Sequence, residues 1–440
     1  MTPQTSSHIG LDEVVAELKK EAPTGPLLLA LSGGLDSALL LALLVKAGLS
    51  SRLRALHVHH GLHPQADEWA NHCHHITAQY GVPLEVSKVT LGRGSVEDAA
   101  RKVRYQALAE AAQGGAVITA HHQDDQAETL LLRLMRASGV RGLGAIKKHS
   151  QVNGMRLWRP LLAVSRDTLQ AWAEQLALTW VEDPSNRDDS IPRNFIRHRV
   201  IPLLREQWPV ASKSLAQSAQ WLQESQVLLD QLAAQDVAAN VASQESPVPG
   251  YPSLSVPAIT SLSAERRRNV LRWWLHEHGV GAPSSPWLQE LDRALSSAAD
   301  RQWAVTRPPW QIRRHKQFLY LLQDHQLEPL TACIRWHPDQ GEQQLGPWRL
   351  SPSQDDGNAV AIAMPVQSVM LRGVEPGDRL LRNGMHQHLS ELWRAAGIPP
   401  WQRRQLPVVV DEHNRVLSVP AVGCRDQIGD TQSWWLSLIP

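Results

Sequence analysis

Five apolar residues, Leu27 to Leu31, run straight into Ser32-Gly33-Gly34-Leu35-Asp36-Ser37, and an apolar helical pattern follows at once. At a strand-to-helix junction these residue types suit an anion. Paired glycines let the backbone approach a ligand closely and accept positive φ. N–H groups of the loop and of the helix N-terminus point at whatever sits there and favour negative charge. Ser32 and Ser37 add hydroxyl donors, and Leu35 lies at the helix start. Asp36 conflicts with a phosphate, because two negative groups repel. A bridging Mg²⁺ resolves the conflict and makes Asp36 a metal ligand. The junction has neither G-x-x-x-x-G-K-[ST] nor G-x-G-x-x-G, so two common phosphate-binding motifs are excluded.

A second cluster is His121-His122-Gln123-Asp124-Asp125-Gln126-Ala127-Glu128-Thr129. On a helix, Asp124 and Asp125 each share a face with Glu128, near a helix start that partly stabilises negative charge. One reading is a solvated, well-capped helix start. The other is a second set of Mg²⁺ ligands, Asp125 among them, and nucleotide contacts including His122, all facing Asp36.

Basic groups recur nearby. Arg101 follows Glu97 by four and Arg104 follows Arg101 by three, which makes either a helical ion pair or a cationic face for phosphate or carboxylate. Pro192-Arg193-Asn194-Phe195-Ile196-Arg197-His198-Arg199 reads as a helix opening with proline. Its Arg193 and Arg197 share a face suited to polyphosphate or RNA backbone, or else simply solvated. His60 or His63, at a strand's carboxyl end, suits a nucleotide or substrate contact. His57, His59, His72, His74 and His75, with Cys73, match no recognised zinc spacing.

These groups need elements that bring them to one edge. Strand patterns fall at 27–31, 53–58, 84–89 and 116–120, with helices at 37–47, 65–80 and 96–112. The alternation predicts an α/β fold, a doubly wound parallel sheet with helices on both faces and ligands beyond the strands' carboxyl ends. After about residue 204 the pattern changes. A long helix is predicted at 211–240, and a proline-rich linker or extended crossing at 243–257. Helices follow at 263–279 and 285–298, and a β-hairpin at 302–322 around Pro308-Pro309. Strand-like segments at 331–336, 348–351, 360–364 and 369–372 precede the turn Glu375-Pro376-Gly377-Asp378. A short helix at 388–397 and a hairpin of 407–411 with 416–419 complete the chain. Three domains result: a nucleotide-binding catalytic domain at 1–215, a mostly helical middle domain at 216–330, and a small α+β domain at 365–440.

The 440 residues carry a net charge of +1, so any nucleic-acid contact must come from local clusters. Cys73, Cys333 and Cys424 are far apart and form no C-x-x-C, against a disulfide scaffold, a zinc ribbon or an iron–sulfur site. Neither a signal-peptide pattern nor an apolar run approaching ~20 residues is present, so a cytoplasmic protein without a membrane span is expected. Arg372, Arg379, Arg382, Arg394, Arg403 and Arg404, interleaved with Trp393 and Trp401, suit either RNA contact or a solvated face.

The glycine loop resembles the S-G-G-x-D-S pyrophosphatase (PP) loop of enzymes that cleave ATP between its α and β phosphates. The ordered set is more specific. Ser32–Ser37, His57-Val58-His59-His60-Gly61-Leu62, Glu97 with Ala100-Arg101 and Arg104-Tyr105, and the 121–129 cluster all fit one pattern. So do Arg159-Pro160-Leu161-Leu162, Glu182-Asp183-Pro184-Ser185-Asn186, Arg193–Arg197, Glu375–Asp378 and Ile398-Pro399 with Arg403 and Leu406-Pro407. Over essentially its whole length the chain resembles the tRNA(Ile)-lysidine synthetase family.

The resemblance implies a Rossmann-like PP-loop domain, ATP and Mg²⁺ as cofactors, and isoleucine tRNA with a CAU anticodon and L-lysine as partners. ATP adenylates the wobble cytidine, and the lysine side-chain amine then displaces AMP. It implies that Ser32–Ser37 cradles pyrophosphate, that Asp36 holds Mg²⁺, and that Asp125 or Glu128 completes the metal site or receives the lysine ammonium. Arg101, Arg104, Arg193 and Arg197 become phosphate and tRNA contacts. Two departures stand out: Ala137 occupies a position where the family usually has glycine, and His386-Gln387-His388 replaces a lysine-rich run. Thiolases of the same loop class generally need suitably placed cysteines, which this chain lacks. Intact Asp36, Asp124, Asp125 and Glu128 oppose a tRNA-binding protein without catalysis.

Overall fold

A computed structural model describes residues 10–61, 63–89, 96–152, 154–241, 251–281, 283–295, 303–337, 341–346, 348–353, 368–419, 422–424 and 435–439. The chain divides into two compact units, Met1–Leu228 and Leu229–Pro440.

The first unit opens with α1 (Leu11–Glu21), β1 (Leu27–Ala30), α2 (Leu35–Lys46), β2 (Leu53–His59), α3 (Ala66–Gln79) and β3 (Leu84–Lys88). It continues with α4 (Val96–Ala112), β4 (Ala116–Ile118), α5 (Gln123–Met135), α6 (Val140–Leu143), β5 (His149–Val152), β6 (Met155–Trp158) and α7 (Arg166–Gln175). The sheet order is β3-β2-β1-β4-β6-β5, parallel except for the antiparallel edge strand β5. Helices cover both faces, so β1 is an uninterrupted apolar run with its three leucines buried. The chain leaves β1 toward β2 and β3 and returns on its other side as β4. The crevice beyond β1 and β4 is therefore the topological switch point.

Strand and helix expectations in this unit hold to within a few residues. The pair β5–β6 and helix α7 are additions. They set the 159–165 loop beside the carboxyl end of β4, because β6 is the parallel neighbour of β4.

Three short helical segments follow, α8 (Pro192–Phe195), a π-helical turn Ile196–Val200 and α9 (Ile201–Gln207), and then α10 (Ala211–Val241). Leu215, Ala219 and Leu222 of α10 pack on Leu130, Leu143 and Ala145, whereas Ala233 and Val237 join the core of the second unit. The division between units thus falls inside this helix.

In the second unit, β7 (Ser253–Ser255), α11 (Val256–Thr260), α12 (Ala264–Glu277), α13 (Ser285–Leu295), β8 (Ala304–Arg307), β9 (Trp310–His315) and β10 (Phe318–Gln323) form one layer. The antiparallel sheet β7-β10-β9-β8 packs on the helices through Leu254, Leu271, Leu291, Ile312 and Leu319. The expected linker is therefore structured in its second part: Ser253–Ser255 pairs with β10 and buries Leu254, while residues 242–250 lie outside the described residues. The expected hairpin at 302–322 is a three-stranded meander.

The final layer holds β11 (Cys333–Trp336), β12 (Gln343–Leu345), β13 (Trp348–Ser353), β14 (Val369–Arg372), β15 (Arg379–Arg382), β16 (Met385–His388), α14 (Leu389–Ala395), α15 (Pro400–Arg403), β17 (Val408–Val410), β18 (Val416–Val419), β19 (Gly423–Cys424) and β20 (Trp435–Ile439). Its main sheet runs β11-β14-β17-β18-β15-β16, with β19 on β18, and β12-β13-β20 forms a smaller one. Residues 333–336 pair with β14, so this sheet draws in chain from before residue 365. The strand expected at 360–364 lies outside the described residues. Among the described residues no helix is long and apolar enough to cross a membrane.

Candidate active site

The loop after β1 is closed by its own serines. Ser37 Oγ donates to the Gly34 carbonyl at 3.0 Å and accepts from the Ser32 N–H at 3.2 Å. The two hydroxyls lie 3.0 Å apart, and the Gly34 N–H donates to Ser32 Oγ at 3.3 Å. Gly33 has φ +87, and a Cβ there would sit 3.1 Å from both Cys73 Sγ and the Val181 side chain. Only glycine meets both demands. The N-cap of α2 is Gly34, with no side-chain cap, so the first-turn N–H groups remain available to an anion.

Asp36 stands in that first turn. Its Oδ2 accepts from Arg166 Nη1 at 3.3 Å and lies 3.8 Å from His122 Nε2. Its Oδ1 is buried, with no hydrogen-bond partner among the described residues.

Across the switch point, His122 caps α5. Asp125 Oδ2 accepts from the His122 N–H at 2.9 Å and lies 3.4 Å from its Nε2, so this ring sits against both Asp36 and Asp125. Glu128 is fully buried and bound by two guanidinium groups: Arg193 Nε reaches Oε2 at 2.7 Å and Arg197 Nε reaches Oε1 at 2.6 Å. Arg193 Nη2 also donates to Asp125 Oδ1 at 2.9 Å. Arg193 and Arg197 share one face across the α8–π junction, which sets both against α5. Asn194 holds this junction by donating to the Ser185 and Asp188 carbonyls at 2.9 and 3.0 Å.

Charge follows geometry. Burial would raise the Asp125 carboxyl, but His122, Arg193, His121 and the His122 N–H outweigh it and hold it down at about 2. Burial lowers Arg193 and Arg197, yet their carboxylate partners carry both above the usual arginine value. His60 and His121 are each lowered to about 4, chiefly by burial, and are neutral near pH 7.

The candidate residues are thus distributed as follows. Ser32–Ser37, Asp36, His122, Asp125, Glu128 and Arg193 lie around one crevice. His60 directly follows β2, with a buried Nδ1 that has no partner among the described residues, and feels the charge of the exposed Arg104 on α4. Arg101 lies over the Tyr105 ring at 4.9 Å, and the Glu97 side chain is outside the described residues.

Asp125 and Glu128 have every carboxylate oxygen engaged, so Asp36 Oδ1 is the one oxygen of these three carboxylates with no partner among the described residues. Among the described residues no group of three or more His, Cys, Asp or Glu is disposed to hold a metal ion. One free carboxylate oxygen beside an anion-binding loop fits Mg²⁺, which keeps waters and takes substrate phosphates with one or two carboxylates. Cys73 lies 3.4 Å from His57 Nδ1, but burial raises its thiol to about 12, which disfavours the thiolate that a zinc ligand needs.

Two residues escaped sequence reasoning. Arg166 binds Asp36 with its guanidinium, and its backbone N–H donates to Asp124 Oδ2 at 2.9 Å. Arg205 binds Asp124 Oδ1 and donates to Ser212 Oγ at 3.0 Å. The signal for Arg166 was the helix start at Ser165, whose hydroxyl caps α7.

Fold and site together define a PP-loop ATP-binding enzyme, and residues 6–204 match the PP-loop domain family. Residues 254–320 match the TilS substrate binding domain and 369–437 the TilS substrate C-terminal domain. The chain is 36% identical over 430 residues to the tRNA(Ile)-lysidine synthase of Pectobacterium atrosepticum, covering 94% of each chain. It is 37% identical to that of Alkalilimnicola ehrlichii, covering 88% of this chain and 87% of that one. It is 44% identical to that of Pseudomonas syringae pv. tomato, covering 71% and 68%. The chain belongs to the tRNA(Ile)-lysidine synthase family.

Proposed function

We propose that this enzyme joins the side-chain amine of L-lysine to carbon 2 of the wobble cytidine of isoleucine tRNA with a CAU anticodon, using ATP and releasing AMP and pyrophosphate. In the first step the oxygen on carbon 2 attacks the α-phosphorus of ATP, and the bond to pyrophosphate breaks. In the second the lysine amine attacks carbon 2, a proton leaves the nitrogen, and AMP departs. Adenylation turns a poor leaving oxygen into a good one.

The observation that carries this reading is the buried, unpartnered Asp36 Oδ1 beside an uncapped helix N-terminus at the switch point. The Ser32–Ser37 loop and the first turn of α2 bind the pyrophosphate portion of ATP. Asp36, with Asp125 nearby, would hold Mg²⁺, which supplies positive charge to the departing pyrophosphate. His60 and His122 contact the nucleotide, and Arg104 a phosphate. Asp125 or Glu128 completes the metal site or receives the lysine ammonium, while Arg193 and Arg197 hold both carboxylates in place. Residues 1–215 serve as the catalytic domain. The regions 216–330 and 365–440 recognise tRNA, a reading supported by the two substrate-domain matches.

The test is incubation with ATP, Mg²⁺, radiolabelled lysine and each of the two CAU-anticodon tRNAs. Label should enter the isoleucine tRNA and not the methionine tRNA, and Asp36→Ala should abolish tRNA-dependent AMP release. Labelling of neither tRNA would overturn the reading, and equal labelling of both would overturn its specificity.

A further inference from the structure

Arg166 is the first residue of α7, and it bridges two helix starts that converge on the crevice. Its backbone N–H donates to Asp124 Oδ2 at 2.9 Å, at the start of α5. Its guanidinium donates to Asp36 Oδ2 at 3.3 Å, at the start of α2. The backbone contact is itself secured, because Asp124 Oδ1 is bound by Arg205 and Ser165 caps the helix. The Arg166 side chain, by contrast, is 42% exposed and makes a single contact to Asp36 through one nitrogen. A fixed Cα with a half-exposed guanidinium is a pivot.

This geometry makes Arg166 and a cation rivals for the same carboxylate. Without nucleotide, the guanidinium balances the charge on Asp36 and leaves Oδ1 open. When a divalent ion takes over Asp36, two positive groups would crowd one carboxylate. The guanidinium can then rotate into the crevice, where triphosphate oxygens offer the bidentate acceptors that arginine favours.

Resting on the ATP reading above, we propose that Arg166 is a positioning residue that exchanges partners. It holds Asp36 in the nucleotide-free enzyme and transfers to the ATP phosphates once a divalent ion binds Asp36.

The proposal makes a prediction with two opposite signs. Removing the guanidinium should strengthen metal binding to the free enzyme and weaken ATP binding. Arg166→Ala and Arg166→Gln both keep the backbone N–H that holds Asp124. Mn²⁺ is the metal probe, read as the loss of the free-ion electron paramagnetic resonance signal without nucleotide. ATP binding is read by calorimetry in the presence of Mg²⁺. Both variants should bind Mn²⁺ about two- to fivefold tighter, as expected for loss of one half-exposed ionic competitor. Both should bind ATP about tenfold or more weakly, as expected for loss of a charged hydrogen bond. Arg166→Lys should restore only part of the ATP affinity, because it returns the charge but not the bidentate fork.

A merely structural role would weaken both ligands together, and that result in either variant overturns the proposal, as does unchanged ATP affinity. If the parent enzyme binds neither Mn²⁺ nor ATP, or binds both unaltered with Asp36→Asn, it is the nucleotide-site reading that fails, and the proposal with it.

Discussion

Asp125 concentrates the electrostatics of the crevice in one side chain. Burial works against its charge, and His122, Arg193 and His121 overcome that penalty to hold it at about 2, below its ordinary 3.8. A carboxyl depressed on folding contributes stability that is present above its unfolded value and is lost as pH falls through the folded one. The contribution is on the order of 2 kcal/mol for a shift of this size. Asp125→Asn should therefore be less stable than the parent by a steady margin from neutral pH down to about pH 4, and the margin should close between about pH 4 and 2. Urea denaturation across that range measures it. His60 and His121 also cost stability in acid, since both stay neutral in the fold while the unfolded chain takes up protons below about pH 6.5. The His60 loss is common to parent and variant and cancels in the difference, whereas that of His121, whose charged form Asp125 favours, differs between them only below about pH 4. A margin that closed near pH 6 would mean that a histidine, not Asp125, controls it. At this scale the sequence was informative about residue types and less so about pairing. The spacing of Asp124, Asp125 and Glu128 put them on one helical face, but nothing local announced that Arg193 and Arg197 would neutralise Glu128 from 65 and 69 residues away.

Elements were legible where periodicity was strong. The buried run of β1 and the apolar helix α2 fix the glycine loop between them, and burial on both faces leaves little freedom in register. The short strands β5 and β6 were missed, each being only four residues long, and with them went the loop that leads into α7 and Arg166. One departure from the family pattern gains a physical meaning here. Helix α5 ends in a Schellman motif: the Ser138 N–H bonds the Arg133 carbonyl and the Ala137 N–H bonds the Leu134 carbonyl, each at 3.0 Å. The motif needs a left-handed residue at 137, and Ala137 adopts φ +51 there. An L side chain in that region costs roughly 1–2 kcal/mol, partly offset by the extra unfolded-state freedom of glycine. Ala137→Gly should stabilise the enzyme by up to about 1 kcal/mol, seen as a higher urea midpoint with the rate of lysine incorporation unchanged. A lower midpoint would show that the alanine methyl contributes packing that outweighs the backbone strain.

At the scale of the molecule, the sequence separated an α/β front from a mixed rear, yet it could not show how the rear is held together. Turn-rich strands carry weak signals, and their pairing partners lie far apart in the chain. The outward face of the middle sheet presents Phe318, Tyr320 and Leu322, and Trp401 of the last layer packs on them. The Tyr320 and Trp401 rings meet edge-on at 5.8 Å, the Arg313 guanidinium lies 5.6 Å from the Trp401 ring, and Tyr251 Oη donates to Gln405 Oε1 at 2.9 Å. Trp401 Nε1 has no partner among the described residues, so its contribution here is packing rather than hydrogen bonding. On the proposed reading both layers recognise tRNA, and this contact fixes their spacing. Trp401→Ala should cost about 3–5 kcal/mol in the unfolding of the second unit. It should also raise the KM for tRNA about tenfold, the effect of losing about 1.4 kcal/mol of binding. The KM for ATP should not move, because the nucleotide crevice is built wholly from residues of the first unit. Trp401→Phe, which keeps a ring but gives up an N–H that bonds nothing, should recover most of both losses. Steady-state kinetics with each substrate varied in turn separates the cases. A rise in both KM values would mean that the two layers do not act as a tRNA-recognition body distinct from the site of chemistry.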